Sequence, residues 1–412
     1  MNNEWRAMPF SDAVLINPQV PLKNGMVYPF VDMQTVIPNT KWVRANEDRA
    51  FDGGGARFLV GDVLMARITP CLENGKISRF IANDLSILAH GSTEFIVIRG
   101  KPGVTDTDFA YYLTRWDYVR QYAISQMTGS SGRQRVPTES LQFIDVTIPP
   151  LPKQRAIAGI LGALDDKIEL NRRMNATLES MMWAIFKSWF IDFEPVHAKV
   201  NGQQPIGVDA ETARLFPSVF EGDKPKGWEI ARFGDFLTPI SDRIGSVNAP
   251  EYSATIHGLG LRDENFNKTL SKSKDKNKKI VKNNLVFGLS RRTLNYGVMK
   301  EDIGSVSPVY EIFKIDTNIY VPELLEMYIR LKMDEHIDIL KPAAREGQAI
   351  DRDYLLTKKI LVPDMKVQMR YQEFCSAFRN KIVHNAKESH TLVSLRGALL
   401  PRLMRGEVMV KV

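Results

Sequence analysis

The sequence predicts an α+β protein: two strand-rich domains joined by two long antiparallel coiled-coil helices, arranged as an internal repeat about a pseudo-twofold axis. Three observations predict it. First, Ile157, Leu161, Leu164, Ile168, Asn171, Asn175, Leu178, Met182 and Ile185 step by four and three residues without a break between Ala156 and Lys187, which is a heptad seam. Second, advancing the numbering by 214 lays Gln134, Leu141, Pro149, Gln154, Ala163, Lys167, Ile168, Asn171 and Leu178 on Gln348, Leu355, Pro363, Gln368, Ala377, Lys381, Ile382, Asn385 and Leu392. These nine identities fall within 45 positions, where average residue usage would give roughly three. Third, Trp5, Phe10 and Asp12 match Trp228, Phe233 and Asp235 at an offset of 223, so both copies open on the same W-x4-F-x-D pattern.

These signals divide the 412 residues into a first domain (1–150), a central helix (151–190), a linker (191–225), a second domain (226–363) and a C-terminal helix (364–412). Short runs rich in β-branched and aromatic residues read as strands: "DVLMARI", "EFIVIR" and "FIDVTIP" in the first copy, "LVFGLSR", "VYEIFKI" and "KKILVP" in the second. The prolines of "IPPLPKQR" precede the seam, where proline suits a helix start. Over its 32 residues the rod is roughly 48 Å long at about 1.5 Å per residue. Trp183, Phe186, Trp189 and Phe190 close it in an aromatic cluster, read as a small core where the rod meets the linker. The linker is rich in Pro and Gly and carries one short helix capped by Asp209.

An apolar stripe on an isolated helix must be covered, and the only other heptad-like helix is the repeat copy, with Phe378, Ile382, Asn385 and Leu392 on its seam. The first helix leaves domain one for domain two and the second leaves domain two, so the simplest pairing is antiparallel. Asparagines at seam positions 171, 175 and 385 sacrifice stability and fix register. The alternative is that Asn171 and Asn175 face solvent on an irregular helix.

The composition, 44% hydrophobic and 25% charged, is that of an ordinary globular protein. No apolar run approaches the length that spans a bilayer, and "MNNEWRAMPFSDAV" has neither a basic nor an apolar leader region, so no membrane and a cytoplasmic location are expected. Cys71 and Cys375 lack metal or disulfide spacing and are expected to be buried thiols, and the six histidines suggest no metal. Neither GxGxxG nor GxxxxGK[ST] occurs; the triple glycine of "FDGGGARF" reads as a flexible turn. The Asn-Pro-Pro-aromatic or Asp-Pro-Pro-aromatic tetrapeptide of amino-methyltransferases is also missing. This disfavours an enzyme with its own fused methyltransferase or nuclease activity. A net charge of +7 makes an acidic polymer a candidate partner. Two diverged domains on a rod suit a two-part target on duplex DNA, the rod corresponding to roughly 14 base pairs at about 3.4 Å each. A two-domain scaffold that binds proteins is the remaining alternative.

The stretch "LPKQRAIAGILGALDDKIELNRRMNATLESMMWAIFKSWFIDFEPV" resembles the central region of specificity subunits of type I restriction-modification systems, as do "GVDAETARLFP", "PKGWE" and "LRGALLPRLMRGEV". "GGGARFLVGDVLMARITPCLENGK", "GSTEFIVIRG" and "MTGSSGRQRVP" are similar to first-domain segments of that family. The resemblance covers nearly the whole chain and is weakest from 236 to 345. It implies a subunit without chemistry of its own, whose two target recognition domains read the halves of a bipartite, asymmetric site on double-stranded DNA. It further implies that the helical pair binds two methyltransferase subunits and that restriction and translocase subunits join them. The chain itself would bind no cofactor; S-adenosylmethionine would sit in the partner methyltransferase, which methylates adenine N6 after base flipping.

Within that frame the loop "TGSSGRQRVP" and its counterpart "AREGQAIDR" offer Arg133, Gln134, Arg135, Arg345 and Gln348 for base contact, since Arg takes guanine and Gln adenine bidentately. Gln134 and Gln348, shared by both copies, equally suit a turn or partner contact. The lysines of "SKSKDKNKK", Lys272, Lys274, Lys276, Lys278 and Lys279, suit phosphate contact, or else a solvated loop. Arg291, Arg292 and Tyr296 in the second copy and Arg67 and Lys76 in the first leave strand ends where loops meet a groove; Arg67 would otherwise staple the domain by pairing with Asp62 or Glu73.

Overall fold

The computed structural model describes residues 5–130, 132–255, 258–262, 274–289, 294–332, 337–342 and 348–410. The chain forms two compact units: unit 1, Met1–Asn175 with Val383–Val412, and unit 2, Ala176–Ile382. All six strand-like runs are strands, at Val63–Ala66, Phe95–Gly100, Asp145–Ile148, Asn284–Phe287, Glu311–Ile315 and Lys359–Val362. Among the described residues no helix is long and apolar enough to cross a membrane.

In unit 1 a five-stranded sheet is the middle layer, in the order Val14–Ile16, Phe95–Gly100, Val63–Ala66, Ile77–Phe80, Trp42–Val43. Its central strands are buried on both faces, so successive side chains feed different cores. Val63, Met65, Ile96 and Ile98 pack with Phe109 and Leu113 of the helix Thr107–Arg115. Leu64, Phe95 and Val97 pack with Val31, Phe58 and Ala89 of a four-stranded sheet. Unit 2 repeats the strand order: Leu237–Ile240, Glu311–Ile315, Asn284–Phe287, Tyr296–Val298 stand side by side as their counterparts do. Its helix Pro322–Leu331 packs on the face carrying Leu285, Phe287 and Phe313, while Val286 and Ile312 point into a second core.

Each unit ties its beginning to its end. Arg6–Pro9 pairs antiparallel with Asp145–Ile148, and Glu229–Arg232 with Lys359–Val362. A proline follows each, then a long helix: Leu151–Phe190 and Met365–Met404, 40 residues each, about 60 Å at about 1.5 Å per residue. The first is longer than the heptad seam because Pro152 is accommodated in its opening turn. Gln154 and Gln368, both 0% exposed, do the same work in their own units. Nε2 of Gln154 donates to the carbonyls of Val104 (2.9 Å) and Pro149 (2.8 Å), and Oε1 accepts from the amide of Asp106 (2.8 Å). Nε2 of Gln368 donates to Ile319 (3.0 Å) and Pro363 (2.8 Å), and Oε1 accepts from Val321 (2.9 Å).

Within unit 1 the two helices lie side by side with opposite directions, Asp165 facing Arg396 and Asn171 facing Glu388. Asn171 and Asn385 are 0% exposed, which rules out the solvent-facing alternative for Asn171. Asn171 Nδ2 donates to Glu388 Oε2 (2.8 Å), Ser389 Oγ (3.3 Å) and the Asn385 carbonyl (3.4 Å); Asn385 Nδ2 donates to Oδ1 of half-buried Asn175 (2.8 Å). The Oδ1 atoms of Asn171 and Asn385 are buried without a partner among the described residues. Ile157 and Leu161 are buried in unit 1, where Leu164, Ile168 and Leu392 are half-buried; Leu178, Phe378 and Ile382 are half-buried in unit 2. The apolar pattern missed a buried ion pair: Arg396 donates to Asp165, whose other oxygen accepts from Tyr112 (2.7 Å), and Arg396 also reaches the Asn39 carbonyl (3.2 Å). Burial, reinforced by the Asp165 charge, pushes the Tyr112 phenol far above its ordinary range.

In unit 2, Phe186, Trp189 and Phe190 pack on Tyr371, with Phe216 and Trp228 closing the cluster; Trp183 stacks on Phe186 from its rim. The linker holds two short helices, not one. Glu194–Val200 starts after Phe193, whose left-handed φ of 50° turns the chain, and has Pro195 in its first turn. Ala210–Leu215 is capped by Asp209, which accepts from the Thr212 amide (2.9 Å) and hydroxyl (2.7 Å). These bonds hold the Asp209 carboxyl down at about 2. Both cysteines are free thiols; Cys375 is buried, but Cys71, in a turn after Pro70, is only half-buried.

Candidate nucleic-acid interface

In unit 1 the loop from Thr128 to Val136 is stitched onto the end of the strand Val63–Ala66. Thr128 and Arg135 exchange backbone hydrogen bonds (3.0 and 2.8 Å), the Thr69 amide donates to the Gln134 carbonyl (3.0 Å), and the Val136 amide donates to the Arg67 carbonyl (2.8 Å). The turn requires glycine: Gly129 has a φ of 125°, and a Cβ there would lie 3.2 Å from the Arg133 carbonyl. Arg133 and Arg135 are exposed and Gln134 half-buried. Arg135 forms a two-pronged ion pair with Glu94, Nε to Oε2 at 2.9 Å and Nη2 to Oε1 at 2.6 Å.

Arg67 does not pair with either expected carboxylate. Asp62 is held by Arg99 at 2.6 and 2.7 Å, and Arg67 instead donates Nη2 to the Val136 carbonyl at 2.8 Å. Lys76 likewise donates to the Met33 carbonyl at 2.9 Å. Beside the loop lies a cleft of about 870 Å³ whose polar wall is Asn17, Gln19, Arg57, Arg67 and Thr93. The triple-glycine segment forms part of its rim, where Gly55 is an obligate glycine, since a Cβ would meet the Gly91 carbonyl at 2.3 Å. The structure thus gathers Arg67, Arg133, Gln134 and Arg135 around one strand end in unit 1.

In unit 2, Lys274 and Lys276 are exposed on a single 3-10 turn, Lys274–Lys276, with Lys274 3.7 Å from Glu251. The end of the lysine run is strand, not loop: Lys278 and Lys279 belong to Lys278–Val281, which pairs with Ile303–Val306. Lys278 Nζ donates to the Tyr310 carbonyl at 2.6 Å, so its charge serves the fold. Tyr296 is only 2% exposed and turns into the core, its hydroxyl 3.4 Å from the Glu326 carbonyl, because alternation in Tyr296–Val298 points it inward. Burial also raises its pKa well above the ordinary phenol value. Gln348 opens the strand Gln348–Ile350 opposite Pro342. Lys272, Arg291, Arg292 and Arg345 lie outside the described residues.

Two features of the site escaped the reading of the residues. Glu94 sits 41 positions from Arg135 and carries no local signal. Gln154 and Gln368 had one, their coincidence at the 214 offset, but not the buried polarity that explains it.

Residues 21–180 match the family model described as the type I restriction modification DNA specificity domain. The chain is 26% identical to the type I restriction enzyme HindI specificity subunit of Haemophilus influenzae, covering 84% of this chain and 86% of that one. It is 24% identical to the MjaIX specificity subunit of Methanocaldococcus jannaschii, covering 76% and 71%. In fold it is similar to the crystal structure of the type I restriction-modification S subunit from M. genitalium, with a TM-score of 0.51 at 13% identity over 98% of this chain and 97% of that one. In sequence the chain is thus similar to specificity subunits of type I restriction-modification systems.

Proposed function

We propose that this chain recognises DNA sequence for a type I restriction-modification enzyme and is its non-catalytic specificity subunit. Unit 1 reads one half of a bipartite, asymmetric site and unit 2 the other. The helices Leu151–Phe190 and Met365–Met404 pair antiparallel as a coiled coil that sets the spacing between the half-sites. The same pair docks two methyltransferase subunits, which bring S-adenosylmethionine, and restriction subunits join that assembly on DNA in the cytoplasm.

One observation carries the reading. The parts that would attach a reader to the rod are the same in both units, down to the three hydrogen bonds of Gln154 and of Gln368. The parts that would touch bases differ: Arg133 and Arg135 stand where the 214 offset puts Gly347 and Ala349. Equivalent mounts with unlike readers suit an asymmetric target. A protein-binding scaffold gives no reason for arginines and glycines on the reading loop.

The test is methylome sequencing of a host expressing this chain with its methyltransferase partner. The expected result is one interrupted, non-palindromic motif with an adenine modified on each strand. A palindromic motif, or no new modification with both proteins present, defeats the proposal.

A further inference from the structure

Arg135 is presented in an unusual way. A planar guanidinium has two forks, one formed by Nε and Nη2 and the other by Nη1 and Nη2. Glu94 occupies the first. In the second, Nη1 has among the described residues only a marginal 3.5 Å contact with the Arg133 carbonyl, while the side chain is 46% exposed. The backbone under it is held from both sides, by Thr128 and by the strand end at Arg67–Thr69. A carboxylate at a DNA-facing rim repels phosphate, so Glu94 is costly there unless it does something for the arginine.

We propose that Arg135 reads a guanine in the half-site of unit 1 through its Nη1/Nη2 fork, and that Glu94 is the positioning residue that holds the fork in plane. Guanine presents N7 and O6 side by side in the major groove, and a guanidinium fork matches both. Because Glu94 uses the opposite fork, the ion pair persists when the base is bound. An arginine already fixed in its reading geometry loses less conformational entropy on binding. The corresponding positions of unit 2 carry no such pair of residue types. Strand register places Phe95 opposite Ala66 as Glu311 is opposite Phe287, so Glu94 corresponds to Tyr310, and Arg135 falls on Ala349 at the 214 offset.

The inference rests on the DNA-reading function proposed above. Its test uses the chain assembled with its methyltransferase partner and duplexes in which the recognised motif is changed one base pair at a time. The expected wild-type result is a G·C requirement at one position of one half-site, worth roughly 5- to 150-fold in affinity. Arg135→Gln abolishes discrimination at that position and leaves the other positions unchanged. Glu94→Ala reduces it severalfold, and Glu94→Asp restores part. The guanine assignment is overturned if Arg135→Gln weakens binding to every duplex alike and lowers the salt slope by about 0.9, the behaviour of a phosphate contact. The positioning role is overturned if Glu94→Ala retains full discrimination. A wild-type complex without sequence preference anywhere overturns this inference together with the function on which it stands, which separates the two failures.

Discussion

Replacing Gln154 by leucine, a side chain of similar size, removes three hydrogen bonds at a site with no access to water. The carbonyls of Val104 and Pro149 lose a donor, and the amide of Asp106 loses its acceptor. Asp106 also caps the helix Thr107–Arg115, its carboxylate accepting from Asp108 (3.0 Å) and Phe109 (3.2 Å), so its backbone anchor matters beyond one bond. At about 1 to 1.5 kcal/mol for each bond, with orphaned backbone groups that water cannot reach, the loss is about 3–5 kcal/mol. That corresponds to exchange faster by roughly two to three and a half orders of magnitude for amides protected by the local structure. Hydrogen exchange read by mass spectrometry should show it in peptides covering Arg6–Pro9, Val104–Phe109 and Asp145–Ile148, with unit 2 unaffected. Gln368→Leu should mirror it at Glu229–Arg232, Ile319–Val321 and Lys359–Val362, and the two effects should add, since the sites share no partner. A shift below about 1 kcal/mol, or faster exchange in the other unit, would refute the assignment of these glutamines as the bolts of their own domains.

Three further predictions follow from the same geometry. The double variant Asn171→Leu, Asn385→Leu should be more stable by about 1–3 kcal/mol in urea denaturation, because it removes two buried Oδ1 atoms without partners among the described residues; it should also relax the spacer length accepted in the modified motif. Arg396→Met should cost about 3–5 kcal/mol by stranding the buried Asp165 charge, and adding Asp165→Leu should recover much of it; single and double variants melting alike would deny the coupling. Lys274→Ala with Lys276→Ala should weaken DNA binding of the assembled complex equally for all sequences and reduce the salt slope by up to about 2; an unchanged slope removes this turn from the interface.

Much of the architecture was legible because it is periodic. The seam shows in residues three and four apart, which any helix brings to one face. The strands show in short β-branched runs that become buried on both faces. The site was less legible. Tyr296 looked like a strand-end contact beside Arg291 and Arg292, but the inward turn of its side chain depends on the strand's pairing. Lys278 looked like one of a row of solvated lysines, until the fold put the Tyr310 carbonyl 2.6 Å from its amine. The ion pair of Arg396 and Asp165 joins residues 231 positions apart. It requires the axial stagger of two helices, to which an apolar stripe is nearly indifferent.

The amino-acid sequence by itself determined that two strand-rich segments are each followed by a long helix and that asparagine interrupts the helical seam, since propensity, periodicity and self-similarity are properties of the chain alone. Only the tertiary structure decided which polar groups are spoken for. Arg67 and Lys278 go to carbonyls, Arg135 to Glu94, Asn171 and Asn385 to each other's helix. The physical reason is that a hydrogen bond acts over about 3 Å between atoms, and which atoms come that close across tens or hundreds of residues is settled by packing, not by local pattern.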